Sequence, residues 1–154
     1  METPQEYTGA IDRGLEGIVA CTTAISTISG STLLYRGTTI EDLAAHSTFE
    51  EVVYLLWVGR LPRRAELAEF SAKLRAQMAL PPQAFGWFHG LPTAVHPMDF
   101  LHAVVAGLSL HDPDANIVED AANLRKALRL TARLATIVAA YHRVRSGQGP
   151  LQPI

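Results

Sequence analysis

Apolar residues recur at three- and four-residue steps along much of this 154-residue chain, which is the spacing of one face of an α-helix. The longest such run extends from Glu119 to Arg145, and its part from Leu134 to Tyr141 carries no charge. Apolar side chains lie on several faces of this run, which predicts a helix that is buried on all sides. A membrane span would need roughly 20 apolar residues, and the uncharged part is too short. Protein must therefore surround this helix, from the same chain or from a second copy.

Shorter helices are predicted before it from their end signals. Thr39 is expected to cap a first short helix through about residue 45. Ser47, with Glu50 three residues later, is expected to cap a second helix that ends at Gly59. Prolines suited to a first helical turn predict three more helical segments, which begin at Pro62, after Pro81 and at Pro97.

One stretch has the character of β-structure. Residues 18–28 are rich in β-branched side chains and precede the turn sequence Ser29-Gly30-Ser31, which predicts a short hairpin that is peripheral to a helical body. Residues 1–13 are mixed and polar, which predicts a loose N-terminal arm. The predicted fold class is therefore all-α with a short N-terminal β-hairpin, in a single domain over residues 14–154.

The composition is that of a globular protein, with 48% hydrophobic and 18% charged residues. A net charge of −2 gives no reason to expect nucleic acid or an anionic membrane as a partner. Cys21 is the only cysteine, so it cannot form an internal disulfide, and it is predicted to be a small buried residue. No basic-then-apolar segment opens the chain, which predicts a cytoplasmic location.

The histidines do not form a recognisable site. His89 and His96 are seven residues apart across a proline-containing loop, which matches no spacing of metal ligands. Asp99 and His102 are three apart on a predicted helix, where an ordinary surface pair is favoured over a base oriented by a carboxylate. The remaining histidines are predicted to be solvated or structural; they are His46, His111 and His142.

Arginines crowd the start of the third predicted helix, at Arg60, Arg63 and Arg64. An anion site there is one interpretation, and solvated or acid-paired arginines are the favoured one. From the residues alone we therefore predict no catalytic, cofactor-binding or metal-binding residue, and no cofactor.

Short segments spread along the chain carry a resemblance to a known family. In order they are GLEGIV from Gly14, TAIS from Thr23, LLYRG from Leu33, IEDLA from Ile40, STFEEV from Ser47, YLL from Tyr54, GRLP from Gly59, HPMD from His96 and ATIVAA from Ala135. As an ordered set these segments resemble the bacterial citrate synthases and 2-methylcitrate synthases. The resemblance covers the chain from about Gly14 to Pro153.

This resemblance implies a mainly helical, homodimeric acyltransferase of the tricarboxylic acid cycle, which condenses acetyl-CoA or propionyl-CoA with oxaloacetate. In the family, two histidines and an aspartate in motifs of the kind GPLHGG, GHRVY and NVDFYSG perform the chemistry, and none of these motifs occurs here. The segment from Gly149 begins like GPLHGG but has Gln152 at the position of the histidine. The chain is therefore expected to be the N-terminal part of such an enzyme and inactive alone, with a separate C-terminal catalytic part as a potential partner.

Two other interpretations stay open at this point. One is a non-catalytic dimerisation or regulatory module derived from citrate synthase, and the other is an unrelated helical protein. The resemblance also implies that the helices matching Pro97–Leu110 and Glu119–Arg145 pair with the same helices of a second subunit. Nine side chains are predicted to form that interface: Met98, Leu101, Val104, Val105, Leu108, Leu134, Ile137, Val138 and Tyr141. An aspartate at Ile137 should break the dimer or, if Ile137 belongs to the core, unfold the subunit as well.

Overall fold

The computed structural model describes residues 21–90, 92 and 94–153. The chain divides into two compact units, residues 1–61 and residues 62–154, and each is described by itself. The single domain expected over residues 14–154 stays a prediction. The predicted N-terminal arm, and residues 18–20 of the predicted hairpin, lie outside the described residues.

The first unit contains a small antiparallel sheet of three strands in the order β1 (Ser26–Ser29), β2 (Thr32–Tyr35) and β3 (Thr38–Thr39). The predicted hairpin is confirmed as β1 and β2, with Ser29 opposite Thr32. The third strand was not predicted, because two residues are too few to show an alternating pattern.

The turn between β2 and β3 is made by Arg36 and Gly37, both with positive φ angles of 49° and 85°. Two residues with positive φ are typical of the tight turns whose twist matches that of a hairpin. The guanidinium group of Arg36 donates through Nη2 to the carbonyl of Leu56, over 2.9 Å. This contact links the sheet to the second helix of the same unit.

Two helices follow the sheet, α1 (Ile40–His46) and α2 (Phe49–Val58). The predicted cap at Thr39 is confirmed, since its hydroxyl accepts the N–H of Asp42. The cap of α2 is Thr48 rather than the predicted Ser47, and Thr48 shares a reciprocal capping box with Glu51. The sequence STFEE contains two overlapping pairs that fit this motif, and only one of them can begin the helix. The predicted end at Gly59 is confirmed by its left-handed conformation, φ 89°.

The second unit contains α3 (Arg64–Ala76), a 3₁₀ helix (Pro82–Phe88), α4 (Pro97–Leu108), a short 3₁₀ turn (Ser109–His111) and α5 (Asp120–Arg145). Helix α3 begins two residues later than predicted from Pro62. The carboxylate of Glu66 accepts the N–H of Arg63 over 2.7 Å, which makes Arg63 the cap. Pro97 is confirmed as the first residue of α4, and Nδ1 of His96 accepts the N–H of Met98.

The core of the second unit lies where the first 3₁₀ helix, α4 and α5 meet. The ring of Phe100 lies between those of Phe88 and Tyr141, with centroid distances of 5.1 and 5.0 Å. The hydroxyl of Tyr141 donates to the carbonyl of Val95 over 2.6 Å, which satisfies its polar end. The buried members of this core are Leu80, Ala84, Phe88, Phe100, Val104, Leu108, Ile137, Ala140 and Tyr141.

Helix α5 has one buried and one exposed apolar face. Ile137 is fully buried, whereas the adjacent Val138 is 55% exposed and Leu134 is 38% exposed. Within the single chain only one face of this helix meets the rest of the unit, so its burial on all sides stays a prediction that requires a second copy. Among the described residues, no helix is both long enough and apolar enough to cross a membrane.

Candidate functional site

A network of charged side chains joins the segment after α4 to the first half of α5. Arg129 donates through Nε and Nη2 to the carboxylate of Asp112, over 3.1 and 2.6 Å, and through Nη2 to Asp114 over 2.6 Å. Arg125 donates to Asp114 through Nε and Nη2. The four side chains form one network, which we call the Asp-Arg cluster (Asp112, Asp114, Arg125 and Arg129).

Hydrogen bonds set the protonation states in this cluster. Those from Arg125 and then Arg129 hold the pKa of Asp114 well below its usual range, against a smaller opposing effect of burial. Burial tends to lower the pKa of Arg129, but its hydrogen bonds to Asp114 and Asp112 outweigh that effect and raise it. The hydrogen bond to Asp114 likewise raises the pKa of Arg125. All three groups are therefore charged at neutral pH.

A pocket of about 150 Å³ adjoins this cluster between α4 and α5. We call it the Arg133 pocket, and it is lined by Val105, Leu108, Ser109, Asp112, Ala115, Lys126, Arg129, Leu130 and Arg133. The Nε of Arg133 donates to the carbonyl of Ala79 over 3.2 Å. Burial lowers the pKa of Arg133, and the nearby charge of Arg129 acts in the same direction, while Asp112 opposes it. The pocket therefore combines apolar walls with a partly buried cation.

The nine predicted interface residues fall into distinct environments. Three are exposed, since Met98, Leu134 and Val138 are 60%, 38% and 55% accessible. Two are partly buried against the core, Leu101 and Val105. The other four are buried within the second unit: Val104, Leu108, Ile137 and Tyr141. Whether a second subunit covers the exposed members stays a prediction, but the buried four already pack inside their own chain.

The histidines are spread out rather than gathered. The side chains of His89, His102 and His142 are exposed, and His96 serves as the cap of α4. The ring of His111 stacks on Trp87, with centroids 6.0 Å apart. Within residues 21–90, 92 and 94–153, no three His, Cys, Asp or Glu side chains are placed to hold a metal ion.

Cys21 is exposed, so its prediction as a buried residue is wrong. That prediction relied on the general preference of cysteine for the interior, which does not fix the burial of one particular position. Of the three arginines considered as an anion site, Arg60 has partners of its own. Nη1 of Arg60 donates to the carbonyl of Leu61, and its guanidinium lies 5.8 Å from the ring centroid of Tyr54.

Sequence reasoning missed the Asp-Arg cluster. The segment from His111 to Ile117 was predicted to be a polar loop. The carboxylates of its two aspartates accept hydrogen bonds from arginines of the next helix. A signal was present, because Arg125, Arg129 and Arg133 are spaced four residues apart and so share one face of α5. Acids just before a helix with such an arginine row predict an ion-pair network.

Comparison with known proteins identifies the family. Residues 14–154 match the family model described as the citrate synthase, C-terminal domain. The chain is 42% identical over 142 residues to citrate synthase 2 of Bacillus subtilis. The match covers 92% of this chain and 38% of that protein. It is 43% identical over 145 residues to the 2-methylcitrate synthase of Mycobacterium tuberculosis. That match covers 93% of this chain and 36% of that protein.

A solved structure gives the same result for the fold. The citrate synthase from Pyrobaculum aerophilum matches 97% of this chain with a TM-score of 0.83 and 34% identity, and the match covers 40% of that protein. The chain thus spans well under half the length of the relatives it matches. Because the family model covers nearly all of its residues, this chain belongs to the citrate synthase family.

Proposed function

We propose that this chain is the N-terminal helical portion of a citrate synthase-like acyltransferase. The observation that carries the proposal is the family match over residues 14–154 in a chain that spans only 36–40% of its relatives. The complete enzyme would condense acetyl-CoA or propionyl-CoA with oxaloacetate, to give citrate or 2-methylcitrate. Relatives named for each activity resemble the chain about equally, so both acyl groups stay open. The cytoplasmic location stays a prediction from the sequence.

In this proposal the chain supplies helical scaffold rather than reacting groups. General acid–base catalysis needs its groups within hydrogen-bond reach of the substrate, and the sequence lacks the family motifs that carry them. The position that resembles a motif histidine is Gln152, whose amide is occupied by hydrogen bonds to the backbone of Leu80. We therefore assign no catalytic residue and no cofactor to this chain, and treat acetyl-CoA as a substrate of the complete enzyme.

The test is an assay of thiol release from acetyl-CoA and from propionyl-CoA that depends on oxaloacetate. The 154-residue chain alone should release no thiol, whereas the citrate synthase 2 of Bacillus subtilis serves as the positive control. Calorimetry should likewise show no binding of oxaloacetate to the chain alone. Oxaloacetate-dependent release by the purified chain would overturn the assignment of a scaffold role.

A non-catalytic dimerisation module is the second candidate, and one observation favours it. Helices α4 and α5 expose large apolar side chains on the surface of the second unit, including Met98, Leu134 and Val138. Such a patch is typical of a surface that a partner covers. Sequencing the DNA beyond the Ile154 codon separates the candidates, since a continuation in frame that encodes GHRVY supports the enzyme.

Both candidates include a homodimer formed through α4 and α5. Val138→Asp should prevent it, because the exposed Val138 can lie in an interface without being needed for folding. Sedimentation at tens of micromolar should show a wild-type dimer and a Val138→Asp monomer with unchanged helical circular dichroism. Glu69→Gln, on the exposed side of α3, is the control and should stay dimeric. A folded wild-type monomer at that concentration would contradict the proposal.

A further inference from the structure

The charges around the Arg133 pocket do not balance. In the Asp-Arg cluster two arginines face two aspartates, so that network is neutral. Two further cations line the pocket, Lys126 and Arg133. Within the described part of the chain, Lys126 donates only to the carbonyl of Ile117, and Arg133 only to that of Ala79. A carbonyl satisfies a donor but does not neutralise a charge. The pocket therefore carries an excess of positive charge.

Of these two cations, Arg133 is the one that we expect to bind an anion. Its side chain is partly buried, and only Nε is used, so both Nη groups lack an acceptor among residues 21–90, 92 and 94–153. Charged groups removed from water are normally paired, since burial without a counter-charge is costly. The carboxylate of Asp112 also lines the pocket, but Arg129 and the N–H of Asp114 already occupy it.

The remaining walls indicate what kind of anion fits. Val105 and Leu108 of α4, together with Ala115 and Leu130, provide an apolar surface beside the cation. The hydroxyl of Ser109 donates to the carbonyl of Ala106 and offers no donor to a ligand. A volume of about 150 Å³ admits a short aliphatic chain with one anionic head group. A planar guanidinium whose two Nη groups are available matches the geometry of a carboxylate.

We propose that the Arg133 pocket binds a carboxylate group on a short apolar stem, with Arg133 as its ionic partner. Two sources offer this chemistry: a free small aliphatic acid, and an aspartate or glutamate side chain of a second copy of the chain. The first source is independent of the proposed function, whereas the second rests on the homodimer proposed there. The two sources are separated by measuring ligand binding and self-association on the same variants.

The first measurement is a titration of the full 154-residue chain with sodium butyrate, followed by the NMR shifts of the backbone amides of Val105, Leu108 and Leu130. Butyramide has nearly the same shape without the charge and should cause no saturable shift. Arg133→Met should weaken butyrate binding by about tenfold or more, the loss expected for one charge-assisted contact. Arg145→Met, at an exposed position of the same helix, should bind butyrate as the wild type does.

The second measurement is sedimentation without added carboxylate. If a second copy supplies the carboxylate, Arg133→Met weakens self-association by about tenfold and butyrate competes with it. Arg133→Lys weakens it less than Arg133→Met, because lysine keeps the charge but loses the paired Nη contacts. Thermal unfolding of each variant shows that the fold is retained before either result is interpreted. The proposal is overturned if butyrate and butyramide bind equally, or if butyrate does not bind and Arg133→Met associates as the wild type does.

Discussion

The side-chain amide of Gln152 pairs with the backbone of Leu80, accepting its N–H over 3.3 Å and donating to its carbonyl over 3.1 Å. The two residues are 72 positions apart, and Leu80 is buried in the core of the second unit. This pair attaches the segment after α5 to the connection between α3 and the first 3₁₀ helix. A glutamine at this position thus has a structural role in the chain.

Gln152→Ala should lower the free energy of unfolding by about 1–2 kcal/mol, because it leaves the buried N–H and carbonyl of Leu80 without partners. Urea denaturation followed by circular dichroism measures the change. The control is Gln148→Ala, since among the described residues Gln148 bonds only through its backbone N–H, to the carbonyl of Arg143. Equal effects of the two substitutions would show that the amide pair contributes nothing.

Two adjacent residues of α5 should differ sharply in their effect on stability. Ile137→Ala creates a cavity in the core and should cost about 3 kcal/mol, since Ile137 is fully buried. Val138→Ala removes a similar side chain from the exposed face and should change stability by no more than about 0.5 kcal/mol. Both are measured by urea denaturation at the same low protein concentration. A large loss for Val138→Ala under dilute conditions would place it in the core instead.

The Asp-Arg cluster should make the free energy of unfolding depend on pH in the acid range. The pKa of Asp114 is lower in the folded chain than in the unfolded one, so its contribution is complete above the unfolded value. That contribution is lost as the pH falls from about 4 toward the folded pKa. Asp114→Asn should lower the urea midpoint at neutral pH and flatten its decline in acid.

The matched control for this acid dependence is Glu69→Gln. Glu69 forms an exposed pair with Lys73 on α3, and exposed pairs of this type contribute little. This variant should therefore keep the wild-type decline below about pH 4. If the decline of Asp114→Asn matched that of the wild type, another carboxylate would have to account for it.

Gly107 of α4 should be energetically coupled to Trp87. A Cβ atom at position 107 would lie 3.0 Å from Cη2 of the Trp87 ring, which is closer than such atoms normally approach. Alanine is otherwise favoured over glycine within a helix by about 1 kcal/mol. In a Trp87→Ala background, Gly107→Ala should therefore be more favourable than in the wild type, by about 1 kcal/mol. A double-mutant cycle by urea denaturation measures this, and zero coupling would contradict it.

The ends of a helix could be predicted where a single residue fixes the local backbone geometry and no neighbouring motif competes with it. The cap at Thr39, the left-handed end at Gly59 and the start at Pro97 all depend on backbone geometry within a single turn. Where two overlapping motifs compete, as at Ser47 and Thr48, the pattern alone does not choose between them. The family was predictable as well, because the order of many weak segments is more specific than any one of them.

The pairing of distant residues was not predictable in the same way. The contacts of Asp112 with Arg129, and of Gln152 with Leu80, join positions whose separation follows from the packing of whole helices. The sequence did not show which face of α5 is exposed in the single chain, because periodicity shows where apolar residues lie but not what covers them. The pocket at Arg133 depends on long-range pairing and on which helix faces are covered, and neither could be predicted from the sequence.

Helix α5 is attached to the second unit by two different kinds of force along its length. Arg125 and Arg129 hold its first half through ion pairs, whereas Ile137 and Tyr141 hold its second half through apolar packing. Sulfate favours the burial of apolar surface and so strengthens the second attachment, whereas it screens the largely buried ion pairs of the first only weakly. The composition of the solvent therefore shifts the balance between the two attachments of one continuous helix.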